Sequence, residues 1–317
     1  MDKIGIISCK WADAREQTWG EMVKICLSEN IPDGLEKTLT EWRREYPESS
    51  LPQLFTAIAE VARGNVETAE KTLEQYLARD KSVHGMALKH YINLRMKKYL
   101  SASEVFTRAQ NSNIPPQKFY TALGEILFVA DLLDDSVKFF RKSLVFDPDN
   151  ARVWATLGHI FTKLKQYDNA RMAIQMAERY AKNLSDLMNG AVYYIITGNY
   201  QRAIEIYHSV DIEHLTSPHH IINCGLVHFR MEDFENAEKY WRQAIRINEK
   251  NPFAHYNLAC LYAAQGEFDR AWDHYSVAAS FSEIFIKDLE VDQDIQPLAK
   301  NPDYQDKIAR LKEKLSG

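Results

Sequence analysis

A period of 33 or 34 residues runs through most of this 317-residue chain, and it limits the fold more than any other feature. The period is clearest from Ala151 to Leu184. Trp154, Leu157, Gly158 and Phe161 fall at helical spacing on a first segment near 152–164, and Ala170, Ile174 and Ala177 on a second near 168–181. Lys165-Gln166-Tyr167 makes the turn between them. Small residues stand where two helix backbones approach, and large ones fill the space beside them. One such hairpin cannot bury its own apolar face, so copies must stack on both sides of it. The copies are present. The Gly158 position recurs at Gly124, Gly225 and Ala259; the Ala170 position at Ala203, Ala237 and Ala271; the aromatic before it at Tyr200, Phe234 and Phe268. Upstream the register is kept by Tyr99 with Ala102 and by Gly64-Asn65-Val66 with Ala69. Repeat starts fall at Glu16, Ser50, Val83, Gln117, Ala151, Leu184, Pro218 and Pro252.

These residues resemble the tetratricopeptide (TPR) family, whose pattern runs Trp-x2-Leu-Gly-x2-Tyr, then small, aromatic and Ala positions, then Pro. Trp154, Leu157, Gly158 and Phe161 match the first half and Ala170, Ile174 and Ala177 the second; Pro148 matches the closing Pro of the repeat before. His90, Leu35, Trp42, Ser136 and Ser143 depart from the pattern. The resemblance implies an all-α, right-handed solenoid of about eight helical hairpins with a C-terminal capping helix. The solenoid takes 16–285, after an arm and the start of the first helix at 1–15, and the cap takes 286–317. In the cap, Pro302 opens a last helix with Tyr304, Ile308, Leu311 and Leu315 on one face, and Asp288 to Asp294 reads as a solvated link. Trp154 is expected in the core, at a cost of about 3–5 kcal/mol on truncation to Ala.

Composition excludes several functions. The net charge is −5 and the pI near 6.1, whereas a phosphate-binding surface needs a basic stripe, so no nucleic acid is expected as partner. The four cysteines, Cys9, Cys26, Cys224 and Cys260, form no Cys-x-x-Cys pair, which fits reduced thiols and a cytoplasmic protein. No apolar run approaches the roughly 18 residues of a membrane span. No phosphate-binding loop, His-Glu-x-x-His or Gly-x-Ser-x-Gly occurs. Cys224 and His228 lie four apart on one helix, but the ligand set is incomplete. The expectation is therefore no enzyme, no metal and no cofactor.

The informative residues are those of the first helices that turn away from their partner helices. Asn189, Asn223 and Asn257 occupy the same repeat position at intervals of 34 residues. Asn is a mediocre helix former, and its amide can donate to a peptide carbonyl while accepting from a peptide N–H. Three such amides make a ladder for an extended backbone; alternatively each bonds a neighbouring repeat or water. Around them lie Met188, Val192, Ile195, Ile222, Leu226, Phe229 and Tyr256, suited to apolar side chains of a ligand or to packing between repeats. Arg152, His159 and Lys163 make the fifth repeat basic, either for an acidic group of a ligand or as a solvated face. The Lys-Asn, Asn, Lys-Arg set that other TPR domains use on chaperone C-termini is missing. The expected function is a non-enzymatic scaffold or adaptor whose groove binds a peptide segment of another protein. The alternatives are a homo-oligomer assembled through the arm at 1–10, and a regulatory subunit of an enzyme complex.

Overall fold

The computed structural model describes residues 14–207, 217–281 and 284–316. Among them every regular element is a helix. Eight hairpins follow one another: α1 (Ala14–Ser28) with α2 (Pro32–Glu45), α3 (Leu51–Ala62) with α4 (Val66–Arg79), α5 (Val83–Arg95) with α6 (Tyr99–Asn111), α7 (Pro116–Val129) with α8 (Leu133–Phe146), α9 (Ala151–Lys163) with α10 (Tyr167–Tyr180), α11 (Leu184–Ile196) with α12 (Tyr200–Tyr207), α13 (Pro218–Arg230) with α14 (Phe234–Ile247), and α15 (Pro252–Ala264) with α16 (Phe268–Phe281). Then come α17 (Ile284–Val291), α18 (Gln296–Ala299) and the capping helix α19 (Gln305–Ser316). The all-α solenoid expected from the period is the fold observed. The described residues gather into two compact units: Trp19–Tyr193, and Tyr194–Gly317 with the start of α1 up to Thr18.

Each first helix ends in the same way. The residue two past it takes a left-handed conformation: Asn30, Gly64, Lys97, Asp131, Lys165, Gly198, Glu232 and Gly266 have φ between 52° and 82°. The next N–H then reaches the carbonyl five residues back, as from Lys98 to Asn93 (2.8 Å), Gln166 to Phe161 (2.8 Å) and Asp233 to His228 (2.9 Å). This cap satisfies helix-end carbonyls and turns the chain into the second helix.

Inside each hairpin the small positions carry the close approach. Ala69, Ala102, Ala170, Ala203, Ala237 and Ala271 are all buried. At Gly158 an added Cβ would meet Ile174 Cδ1 at 2.5 Å, and at Gly225 it would meet Trp241 Nε1 at 2.4 Å. The residues that depart from the repeat pattern are accommodated by specific bonds. Ser136 donates to the Gly124 carbonyl (2.8 Å) and Ser143 to that of Gln117 (3.0 Å), each tying α8 to α7. His90 Nδ1 bonds the Ala102 carbonyl at 2.8 Å, tying α5 to α6. Leu35 and Trp42 are buried, and Trp42 packs on Phe55 with ring centroids 5.0 Å apart. Trp154 differs from expectation. It is half-buried rather than in the core, because its indole N–H donates to the Pro148 carbonyl (2.8 Å) in the preceding turn, which holds the ring toward the surface.

Candidate functional site

The candidate site is the face of each first helix that turns away from its own partner helix. In the unit Tyr194–Gly317 this face is closed. All twelve residues from Pro218 to Phe229 and all twelve from Pro252 to Ala263 are buried. A helix buried all round has neighbours on every side. On α15 one of those neighbours is the C-terminal segment. Phe285 packs on Phe253 and Tyr256, Tyr256 donates to Asp292 (2.8 Å), and Arg230 makes two bonds to Asp294 (3.0 and 2.6 Å). Asp288 and Asp292 are buried, so this stretch is no solvated link. The Asp292 and Asp294 carboxylates are drawn from water because Tyr256 and Arg230 supply them with charge-assisted donors.

The predicted residues of this unit fall on that closed face. Ile195, Ile222, Leu226, Phe229 and Tyr256 are buried. Asn223 is fully buried and faces Tyr207, whose phenol is pushed well up by burial and by the Cys224 thiol, with the Asn223 amide opposing. That contact joins adjacent repeats. Asn257 is 5% exposed, and its Nδ2 has no acceptor among the described residues. Burial also pushes the Cys224 and Cys260 thiols well above the usual range, so neither is a reactive thiolate.

In the unit Trp19–Tyr193 the inner face is filled from the N-terminal side. Lys24 of α1 places its ammonium 3.4 Å above the Phe128 ring of α7, and Phe128 meets His159 of α9 edge-on with centroids 5.6 Å apart. Glu21, one turn before Lys24, is buried too; burial raises its carboxyl and Lys24 partly offsets that. His159 is buried, its Nδ1 has no partner among the described residues, and burial with Lys24 and Lys163 holds its pKa down to about 3. Met188 and Val192 are buried. Asn189 is 3% exposed, and its Nδ2 likewise has no acceptor among the described residues.

Of the three residues expected to make the fifth repeat basic, Arg152 and Lys163 are already engaged and His159 is held neutral. Arg152 bonds Glu125, which also takes a 3.0 Å bond from His84, and Lys163 pairs with Asp131 (2.5 Å). Burial alone would raise the Glu125 carboxyl, but Arg152 and His84 bring it below its ordinary value. Sequence reasoning passed over Glu125, Lys24 and Arg230, and read Asp294 as the end of a solvated link. Glu125 carried a signal, since it lies 27 residues before Arg152 on the same face of the preceding first helix. The Arg230–Asp294 pair, 64 residues apart, carried none. A cavity of about 290 Å³ lies in this unit where three turns meet, lined among others by Cys26, Ile31, Ala62, Arg63, Ala130 and Asp131. Among the described residues no His, Cys, Asp and Glu cluster could hold a metal, and no helix is long and apolar enough to cross a membrane.

The repeat can now be compared with known ones. A tetratricopeptide-repeat model matches 151–183, and a second TPR-repeat model matches 225–266. This is a tetratricopeptide-repeat protein. Its curated relatives are distant. It is 25% identical over 150 residues to the CTR9 homolog of Arabidopsis thaliana, covering 43% of this chain and 13% of that protein. It is 22% identical over 163 residues to the BBSome complex member BBS4 of Bos taurus, covering 51% of this chain and 31% of that protein. The chain thus spans under a third of the length of either. A solved human IFIT1 dimer with PPP-AAAA superposes with a TM-score of 0.55 at 14% identity, over 96% of this chain and 72% of that one, a likeness of fold alone. TPR folds of this kind serve as scaffolds for contacts between proteins.

Proposed function

We propose that this TPR protein is a non-enzymatic, cytoplasmic scaffold that holds an extended peptide segment of a partner protein on the inner face of its first helices. The observation that carries the reading is the state of Asn189 and Asn257. Each is almost fully buried, and the amide hydrogens of neither have an acceptor among the described residues. Leaving a buried donor unsatisfied costs about 1–3 kcal/mol, and a peptide carbonyl would remove that cost. The apolar neighbours Met188 and Val192 on one helix, and Tyr256 on the other, offer contacts that do not depend on a partner's sequence. The faces are closed in the free chain, so the covering side chains must give way before a peptide can enter. That a bovine relative is a member of a multi-protein complex supports the scaffold role without identifying a partner.

The test replaces the amides while keeping their volume. Asn189→Leu and Asn257→Leu, alone and together, are compared with wild type for captured partner protein and for urea stability. Loss of the captured protein with stability unchanged or higher supports the reading. Equal capture by all four proteins sinks it.

A further inference from the structure

The last hairpin holds a pair of histidines whose ring nitrogens face each other. His255 Nδ1 and His274 Nδ1 are 2.9 Å apart, and His255 Nε2 lies 2.8 Å from the Glu249 carbonyl. The carbonyl only accepts, so His255 carries its proton on Nε2 and presents a bare Nδ1. His274 must then donate from its own Nδ1. The two rings share this bond in one arrangement of protons, and it joins α15 to α16.

A third proton is poorly accommodated. On His255 Nδ1 it would set two donors face to face. On His274 Nε2 it would add a cation to a cluster already rich in them. The charges that bear on the pair come from three elements. Glu238 and Arg242 stand on α14, and Arg270 and Asp273 on α16 beside His274, while the turn before α15 contributes the Glu249 carbonyl. Tyr262 of α15 stacks on His274 with centroids 5.6 Å apart and donates to Glu238 (2.7 Å). Arg242 and Arg270 both bond that one carboxylate, so it has little left to offset an imidazolium. We propose that the His255–His274 pair is a proton-operated latch, which fastens α15 to α16 at neutral pH and lets go on acidification. Burial, the partner ring and the two arginines hold His274 down to about 4, and burial lowers His255 as well, which fits a latch that resists its first proton. Release bears on more than one hairpin, because α18 rests on α15 and α17 on α16. The latch stands whether or not Asn257 holds a peptide.

Ring-nitrogen NMR on the full chain tests it without any substitution. At pH 7.5 the expected pattern is a proton on His255 Nε2 and on His274 Nδ1, with both rings silent until well below pH 6 and then changing together. Protons found on the opposite nitrogens, or two independent titrations near 6.5, overturn it. Urea unfolding of wild type and His274→Asn gives a second readout. The expected gap in the unfolding constant is tenfold or more at pH 7.5 and shrinks by at least tenfold at pH 5. A gap constant over that range also overturns the latch. Glu238→Gln keeps both rings but leaves Arg242 and Arg270 without their shared carboxylate, so the rings should begin to take up the proton at a lower pH than in wild type.

Discussion

At the scale of single residues, the glycines at the helix crossings are not equivalent. Gly158 faces the terminal methyl of Ile174, which can turn aside, and Ala gains about 1 kcal/mol over Gly in a helix interior. Gly225 faces the rigid indole of Trp241, whose N–H is tied to the Ile222 carbonyl at 3.1 Å. Gly225→Ala should therefore cost about 2–3 kcal/mol, as overpacking does, while Gly158→Ala stays within about 1 kcal/mol of wild type; urea melts of the two compare them directly. His159 gives a second prediction. Burial beside Lys24 and Lys163 holds its folded pKa down to about 3, against about 6.5 for an unperturbed imidazole. Between those values the unfolded chain binds a proton that the folded chain does not. The stability is fully present above 6.5 and is lost as pH falls toward 3, by an amount on the order of 3–5 kcal/mol. Relative to His159→Leu, wild type should lose stability from pH 7 to pH 4.5, and parallel pH profiles would refute this. The neutral site was not readable in the sequence. His159 sits at a position that looked solvent-facing, and only the approach of Lys24 and Phe128 makes it buried.

Helices and their turns were the most readable level. A Gly, Ala or Ser at one position and a small residue twelve places on force a close crossing, and that geometry admits little but a helical hairpin. The turns were less readable, because Lys97, Lys165 and Glu232 hold left-handed backbone that Gly usually supplies. The C-terminal segment was misread for a different reason. Asp288, Asp292 and Asp294 look like a hydrated stretch, and the partners of the last two, Tyr256 and Arg230, are remote in sequence. The element-scale prediction follows from that pair. Arg230→Ala leaves Asp294 partly buried without its guanidinium and should cost about 1–3 kcal/mol, whereas Arg230→Ala combined with Asp294→Asn should recover part of it. Hydrogen exchange should show the loss first in α17 and α18. Equal protection there in wild type and Arg230→Ala would count against the cap's dependence on this bond.

Over the whole molecule, the period and the charge were legible and the burial of the inner face was not. A sequence reports which side of a helix is apolar, but whether that side meets solvent depends on residues far away in the sequence, as Lys24 is from Phe128. Met188, Ile222 and Tyr256 would read identically in an open groove and in the closed faces observed. The charge leads to a prediction that separates this chain from a nucleic-acid reader of similar fold. With a net charge of −5 and its basic residues Arg152, Lys163 and Arg230 paired with acids, it should show no salt-dependent binding of single-stranded RNA by fluorescence polarisation at 150 mM salt. Binding that weakens steeply with added salt would overturn that expectation.

The eight left-handed turn residues bear on how such a chain can change over time. Three are Gly, and five are Asn30, Lys97, Asp131, Lys165 and Glu232. A side chain held in this conformation costs about 1–2 kcal/mol relative to Gly. Lys97, Lys165 and Glu232, all at exposed turns, are thus small reserves that a single substitution to Gly could release. A lineage or a designer burdened by a damaging change elsewhere would have, repeated along the array, ready sites for compensation, and drift at those turns could alter the chain's tolerance to mutation while leaving its helices where they are.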